Sequence, residues 1–395
     1  MSTENNSEHL FKNSVKILTD LISFKTISGE DNNSLIDYCD DILKKIGASS
    51  FRTFDDDKKR VNLFATIKAK NSSNKKPIIF SGHTDVVPVE GQEWDSNPFV
   101  LKKRGEKLYG RGTADMKSFI AVTLSLVPKI VKLNLKKPID LMFSFDEEIG
   151  CVGIQKAIPF IKKMKHKPSS CIVGEPTEMK VINQHKGKKN FLVIFNGIES
   201  HSSLVDKGVN SINYAAKFIH FLKSIEEELK KKSNLNKSFD PPYASINIGK
   251  INGGIALNII PKECKIEFEI RDLPNTDSEA IKNKINDFLY LNLEKEMKKE
   301  NKACSINFHI TNNFPPLKTN QKDSLINLCL RSVNSNKTGS VSFGTEAGVF
   351  DKMGIETIVC GPGSINQAHK PNEFINKNQI HKCEIFLEKI IKNLY

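Results

Sequence analysis

Apolar positions recur along the first half of the chain with two different periods. Ile36, Cys39, Leu43 and Ile46 fall on one face of a 3.6-residue repeat and predict a helix. Short apolar runs lie between such stretches: VNLFATIK at 61–68, IIFSG at 78–82, IDLMFSF at 139–145 and CIVG at 171–174. Each has strand length and is bounded by polar residues. Residues 116–133 read as a helix that Pro128 should kink or end, because proline lacks the N–H a helix needs. Strands alternating with helices predict an α/β domain around a mostly parallel central sheet.

The pattern changes after Gly187. FLVIFNG at 191–197 reads as a strand and 208–231 as an amphipathic helix. Strands follow at 245–251 and 264–271, then a helix at 277–298 and a strand at 304–310. This is a small α+β unit of ferredoxin-like order. NNFPPLK at 312–318 leads back, and the α/β pattern resumes with a helix at 322–333, a strand at 357–361 and a helix at 377–393. The expected organisation is one discontinuous domain, 1–186 and 316–395, interrupted by a second at 187–315.

With 395 residues, 38% of them apolar, the chain can build two cores. No apolar run reaches the roughly 18 residues of a membrane span. The start, MSTENNSEHLFKN, is polar and lacks the basic and apolar regions of a signal peptide. The expected location is cytoplasmic, with no membrane partner. Eight scattered cysteines form no CxxC and read as reduced core thiols. The net charge of +13 raises the question of nucleic acid. The lysines are spread along the chain, however, and aromatic residues are not interleaved with them as stacking platforms. A solvated lysine-rich surface accounts for the charge, and no nucleic-acid partner is expected.

Acids and histidines follow directly on the predicted strands. His83 and Asp85 come after IIFSG, Glu147 and Glu148 after FSFD, and Glu175 after CIVG. His369 comes after Gly361-Pro362-Gly363, and Asp115 stands between the turn Gly110-Arg111-Gly112 and a helix start. That turn is not a phosphate loop, since no GKS or GKT follows. Ligands of open α/β sheets bind beyond the carboxyl ends of the strands. The recurrence therefore gathers carboxylates and two imidazoles along one edge.

Carboxylates packed together resist ionisation unless cations neutralise them. Two imidazoles with three carboxylates suit zinc, with cobalt or manganese as substitutes. His83, Asp115, Glu148, Glu175 and His369 are the candidate ligands of two ions, with Asp115 bridging. Two ions about 3.5–4 Å apart polarise a carbonyl and acidify water. Asp85 is placed to orient the His83 imidazole. Glu147, diverging from its neighbour Glu148, is the candidate general base. Singly these signals are weak: a Glu-Glu pair is usually solvated surface, and a lone buried histidine is usually core. Their joint placement after successive strands points to a metal hydrolase.

Six ordered stretches span nearly the whole chain: SGHTDVVPV (81–89), LYGRGTADMKS (108–118), FSFDEEIGCVG (143–153), VGEPTE (173–178), SHSS (200–203) and GPGSINQAHKPNEF (361–374). Together they resemble the family of dinuclear-zinc aminoacylases and exopeptidases. The resemblance implies the same five ligands, Asp85 as helper carboxylate and Glu147 as base. It also implies an inserted lid domain that mediates homodimerisation and a cis peptide after Asp115. His201 would act from the lid of the partner subunit as an N–H donor to the developing oxyanion. Ser118 departs from the family, which commonly has glycine there. GTEAGVF at 344–350 and the 361–374 stretch narrow the implied substrate to N2-acetyl-L-ornithine, cleaved to acetate and L-ornithine. Asn258 and Arg271 match positions that hold substrate polar groups, and Thr345 and Glu346 are further substrate-binding candidates. The alternatives are another N-acyl amino acid or N-succinyl-diaminopimelate, or a catalytically silent binding protein on the same fold.

Overall fold

The structure is a computed structural model and describes residues 2–69, 75–320 and 324–394. The chain forms two compact units: Met1–Gln184 with Leu317–Ser340 and Thr345–Tyr395, and His185–Pro316 with Val341–Gly344.

In the first unit the central sheet begins, in spatial order, with Ser49–Phe54, Val61–Ile67, Ile139–Ser144, Ile78–His83, Ser170–Pro176 and Glu356–Gly361. The last four of these are mutually parallel, and the first two join antiparallel. Every residue of Ile78–His83, Ile139–Ser144 and Ser170–Pro176 is buried. That is expected where crossover helices cover both faces of parallel strands, and it explains why these runs are continuously apolar rather than alternating. Helices Ser2–Ser23, Lys117–Ile130 and Lys377–Lys392 pack together, joining Leu18, Leu21, Ile120, Leu124 and Phe386 to the core. Pro128 sits in the last turn of its helix, which ends at Ile130. A proline there removes only one ladder bond near a terminus, so it ends the helix without breaking it.

Several elements are not evident from the sequence pattern, three of them instructive. Among its described side chains, helix Ser2–Ser23 shows buried apolar residues, Val15, Ile17, Leu18, Leu21 and Ile22, in its second half. Helix Val152–Lys163 carries Pro159 inside it, a residue that reads as a breaker. Strand Ser49–Phe54 lies at the sheet edge and is largely exposed, so it needs little apolar patterning.

The second unit is a four-stranded antiparallel sheet ordered Ser245–Gly253, Glu263–Arg271, Lys188–Asn196, Ser305–Phe314. Strand order and the two helices give the ferredoxin-like arrangement. Here one sheet face is covered, and burial alternates: Phe191, Val193 and Phe195 are buried, as are Cys264, Ile266, Phe268 and Ile270. They meet Phe218 and Leu222 of helix Ser211–Leu229, and Leu289 and Met297 of the second helical segment. Asn210 caps the first helix by accepting the N–H of Ile212 at 3.0 Å, and Asp277 caps the second by accepting that of Ala280 at 2.9 Å. Such caps contribute about 1 kcal/mol each. The single helix expected at 277–298 is in fact Ser278–Asp287, a π-helical stretch Phe288–Leu293, and Glu294–Glu300.

Candidate metal centre

Parallel strands of similar register end at one level, and the chain leaves each end carrying polar groups. His83 is the last residue of its strand and pairs in register with Ser144, the last residue of the neighbouring strand. Glu147 and Glu148 lie just beyond Ser144, and Glu175 lies near the end of Ser170–Pro176. A side chain at Gly174 would collide with the Phe119 ring, its Cβ falling 1.9 Å from Cγ. Glycine there lets helix Lys117–Ile130, which follows Asp115, sit directly on the strand that presents Glu175.

Asp115 is the centre of the arrangement. Its Oδ1 lies 3.0 Å from His83 Nε2, and its Oδ2 lies 3.3 Å from His369 Nε2. Glu175 Oε1 is 3.7 Å from His83 Nε2, and Glu148 Oε2 is 3.0 Å from His369 Nε2. Two groups result, His83–Asp115–Glu175 and Asp115–Glu148–His369, each with ligand atoms within 4.8 Å of one another. They share one aspartate, one oxygen to each side. The first group is wholly buried, whereas His369 in the second is exposed. The Asp115–Met116 peptide is cis.

The site fits cations by chemistry as well as by position. Glu175 Oε1 is buried and has no hydrogen-bond partner among the described residues. His83 Nδ1 is 2.9 Å from the Asp85 carbonyl, an acceptor only. The neutral ring therefore carries its proton on Nδ1 and turns the Nε2 lone pair toward Asp115 and Glu175. Burial pushes Glu147 and Glu175 well above the ordinary carboxylate range, reinforced by their negative neighbours. Burial and the charge of Asp115 push Glu148 up to about 7. Burial also opposes ionisation of Asp115, but hydrogen bonds to His369 and His83 hold it low. The same bonds to Asp115 and Glu148 raise His369 to about 10. Burial would lower His83, yet bonds to Asp115 and Asp85 raise it well above its usual value. Without cations, the imidazoles take up protons to offset crowded carboxylates.

A surrounding layer holds these groups in place. Asp85 accepts the backbone N–H of Glu147 at 3.0 Å and of Glu148 at 3.3 Å, and the Ser28 hydroxyl at 2.7 Å. Glu147, nearly buried, receives a contact from Cys151 Sγ at 3.4 Å. Glu373 was not legible from sequence, yet its Oε1 accepts the N–H of Ala114 at 2.8 Å and of Asp115 at 3.2 Å. Its other oxygen takes Arg111 Nη1 at 2.8 Å, a pair in which both side chains are 1% exposed. Removing either partner would strand a buried charge, at a cost of about 3–5 kcal/mol. Arg111 also reaches Gln92 and the Lys370 carbonyl, tying the His369 loop to the Asp115 turn. The available signal was an arginine between two glycines and a glutamate four residues after a candidate ligand.

The remaining sequence candidates are not among these two ligand groups. Thr345 and Glu346, candidates for substrate binding, are fully buried. Thr345 Oγ1 accepts the N–H of Ala347 at 3.0 Å at a helix start, and both Glu346 oxygens are taken by serine hydroxyls. His201, Asn258 and Arg271 belong to the second unit. There His201 is exposed and pairs with Ile259 through an isolated bridge, and Ser202 N–H donates to the Asn258 carbonyl at 3.0 Å. Arg271 Nε is bound to Glu269 Oε1 at 3.1 Å along its own strand.

A parallel sheet whose strand ends bear two carboxylate–imidazole groups around a common aspartate defines the chain as a metal-dependent hydrolase of α/β type. The chain belongs to Peptidase family M20/M25/M40, which it matches over residues 79–393. It is 31% identical over 384 residues to acetylornithine deacetylase of Pasteurella multocida, covering 94% of this chain and 95% of the relative. It is also 31% identical over 390 residues to the deacetylase of that name from Buchnera aphidicola subsp. Schizaphis graminum, covering 96% and 97%. An M20 family metallo-carboxypeptidase from Sulfolobus solfataricus superposes with a TM-score of 0.75 at 20% identity, covering 96% of this chain and 98% of that one. A dinuclear metal-binding peptidase of the same family from Bacillus subtilis superposes with a TM-score of 0.68 at 13% identity, covering 98% and 99%. These two likenesses are of fold.

Proposed function

We propose that this protein deacetylates N2-acetyl-L-ornithine to L-ornithine and acetate with two divalent cations, zinc by preference and cobalt as a substitute. The carrying observation is the division of Asp115 between His83 on one side and His369 on the other. The substrate assignment rests on the relatives of about 31% identity and on the 344–350 and 361–374 stretches. His83 and Glu175 would hold one ion, Glu148 and His369 the other, and Asp115 both. When bound, the ions supply Lewis acidity to the amide carbonyl and acidify water.

The chain's own residues do the rest. Glu147 accepts the attacking water's proton and returns it to the leaving amine. Asp85 fixes both the His83 ring and the backbone from which Glu147 projects. Arg271 is a candidate for the substrate α-carboxylate, which it would grip bidentately on exchanging Glu269 for it. The second unit serves as lid and homodimerisation domain. Ile255 and Leu257, nearly or fully exposed in the segment that pairs with His201, support that reading. Eight free, buried cysteines suit a reducing cytoplasm and a place in arginine biosynthesis.

The test is acetate release from a panel of N-acyl amino acids, with and without chelator. Acetylornithine should be the best substrate. Chelation should abolish turnover, and zinc or cobalt should restore it. A better turnover of N-succinyl-diaminopimelate or another N-acyl amino acid would overturn the substrate, and full activity in metal-free protein would overturn the mechanism.

A further inference from the structure

Glu346 is fully buried, and among the described residues no ion pair compensates its burial. Its Oε1 accepts from Ser81 Oγ at 2.5 Å and its Oε2 from Ser144 Oγ at 2.7 Å. Desolvating a carboxylate is costly, and an apolar residue would fill the space at lower cost. The two serines reveal what the position does. Ser81 lies two residues before His83 on the same strand, so their side chains share a face. Ser144 closes the adjacent strand opposite His83 and leads directly to Glu147 and Glu148. One carboxylate therefore ties two neighbouring strand ends. Its own root is also fixed: helix Ala347–Lys352, which it precedes, packs on Ser170–Pro176, the strand of Glu175, and on Glu356–Gly361.

We infer that Glu346 is a positioning residue. It braces the strand ends carrying His83, Glu147–Glu148 and Glu175, and so sets how tightly the cations are held. This rests on the metal centre proposed above, but not on the identity of the substrate. A brace and a charge predict different variants. Glu346→Gln keeps the shape: its oxygen accepts one hydroxyl, and its amide N–H can donate to Ser81 Oγ, whose own hydroxyl turns to the Met142 carbonyl, already 3.4 Å away. Glu346→Ala loses both ties.

The test is titration of metal-free protein with cobalt(II), followed by calorimetry and by the cobalt absorption spectrum, with thermal unfolding of each metal-free variant as the control for folding. Glu346→Ala should bind cobalt about 10–100-fold more weakly, the range seen when residues supporting metal ligands are lost. Glu346→Gln should stay within about threefold of the wild type, because its supporting bonds persist. Ser144→Ala, a smaller change that removes one tie, should weaken binding in the same direction, and it decides the matter if Glu346→Ala does not fold. Wild-type affinity in Glu346→Ala or in Ser144→Ala overturns the inference, as does a loss in Glu346→Gln equal to that in Glu346→Ala. Wild-type protein that takes up no cobalt overturns the metal reading and this inference with it. Because the readout needs no substrate, failure to release acetate from acetylornithine is a separate result that bears on the substrate alone.

Discussion

Asp85 holds Glu147 by its backbone, accepting the Glu147 N–H on Oδ1 at 3.0 Å, and that same oxygen lies 3.5 Å from His83 Nδ1. A single carboxylate thus faces a candidate ligand and fixes the candidate base. Its second oxygen, shared by Glu148 N–H and the Ser28 hydroxyl, prevents it from turning. The relation between imidazole and base is therefore built through one residue, whose carbonyl lies 2.9 Å from His83 Nδ1 and whose carboxylate takes the Glu147 N–H.

Asp85→Asn should be far from conservative. An amide presents N–H where the backbone N–H of Glu147 or Glu148 needs an acceptor, so one donor faces another. We expect metal affinity or activity to fall about 10–100-fold, as for other groups that support metal ligands. Metal titration and acetate release measure the two effects separately. A metal-replete Asp85→Asn protein with wild-type kcat and affinity would show that the carboxylate orients nothing.

Glu147→Gln should keep the cations and lose turnover. Glutamine matches the size of glutamate but cannot accept the water's proton. General-base contributions of about 10²–10⁴-fold set the expected loss in kcat. Metal content measured on the purified variant separates this from ligand loss. Near-normal kcat in a protein holding both ions would assign the base elsewhere.

The candidate ligands were legible because chemistry at a sheet edge writes itself locally. His83 and Glu175 lie at the ends of buried strands and Glu148 just beyond one, so the sequence places them without any knowledge of packing. The residues that hold them were not legible. Glu373 reaches Asp115 across 258 positions, and Glu346 reaches Ser81 across 265. Such pairings depend on how loops return over the sheet, which no local period encodes. Glu346 shows the limit well: its motif draws attention, but only burial reveals that its oxygens are spent on serines. In the fold, the parallel strands announced themselves as apolar runs. The exposed edge strand Ser49–Phe54 and the proline-bearing helix Val152–Lys163 did not, because an edge needs few apolar residues and Pro159 imitates a stop.

Asp140 provides a pH test away from the metal centre. It is fully buried, with Oδ1 accepting the Thr66 hydroxyl at 2.7 Å and Oδ2 without a hydrogen-bond partner among the described residues. Burial pushes it up to about 7 from an ordinary 3.8. A folded pKa above the unfolded one means that the folded chain keeps its proton longer. The contribution to stability is therefore full below the unfolded value and is lost as pH rises through the folded one. Asp140→Asn keeps the Thr66 bond and cannot ionise, although its new N–H lacks an acceptor, a pH-independent cost of about 1–3 kcal/mol. Relative to wild type, the variant should gain stability from about pH 5 to about pH 8, with a slope of at most about 1.4 kcal/mol per pH unit. Thermal unfolding at the two pH values measures it. A difference that does not change with pH would mean that Asp140 ionises normally.

His201, we propose, acts from the partner subunit. Its ring has a defined tautomer: Nδ1 accepts the Ser203 backbone N–H at 3.2 Å and lies 2.8 Å from Ser203 Oγ. The neutral ring's proton therefore sits on Nε2, the form needed to donate to an oxyanion. His201 is exposed, so the donor is not consumed within its own core. Losing one such donor costs about 10²–10³ in rate, and His201→Ala should lose that much kcat while binding metal normally. Whether the donor works within its own chain or across a dimer is decided by complementation. Glu147→Gln and His201→Ala proteins, each inactive, are mixed under conditions that exchange subunits. If His201 acts across the dimer, the His201→Ala chain of a mixed dimer has its own Glu147 and its partner's His201, and that site is whole. If His201 acts in cis, every site in the mixture lacks one of the two. Recovered activity therefore identifies the trans arrangement. A verified mixed dimer that recovers none sinks it, and full activity in His201→Ala alone would remove His201 from catalysis altogether.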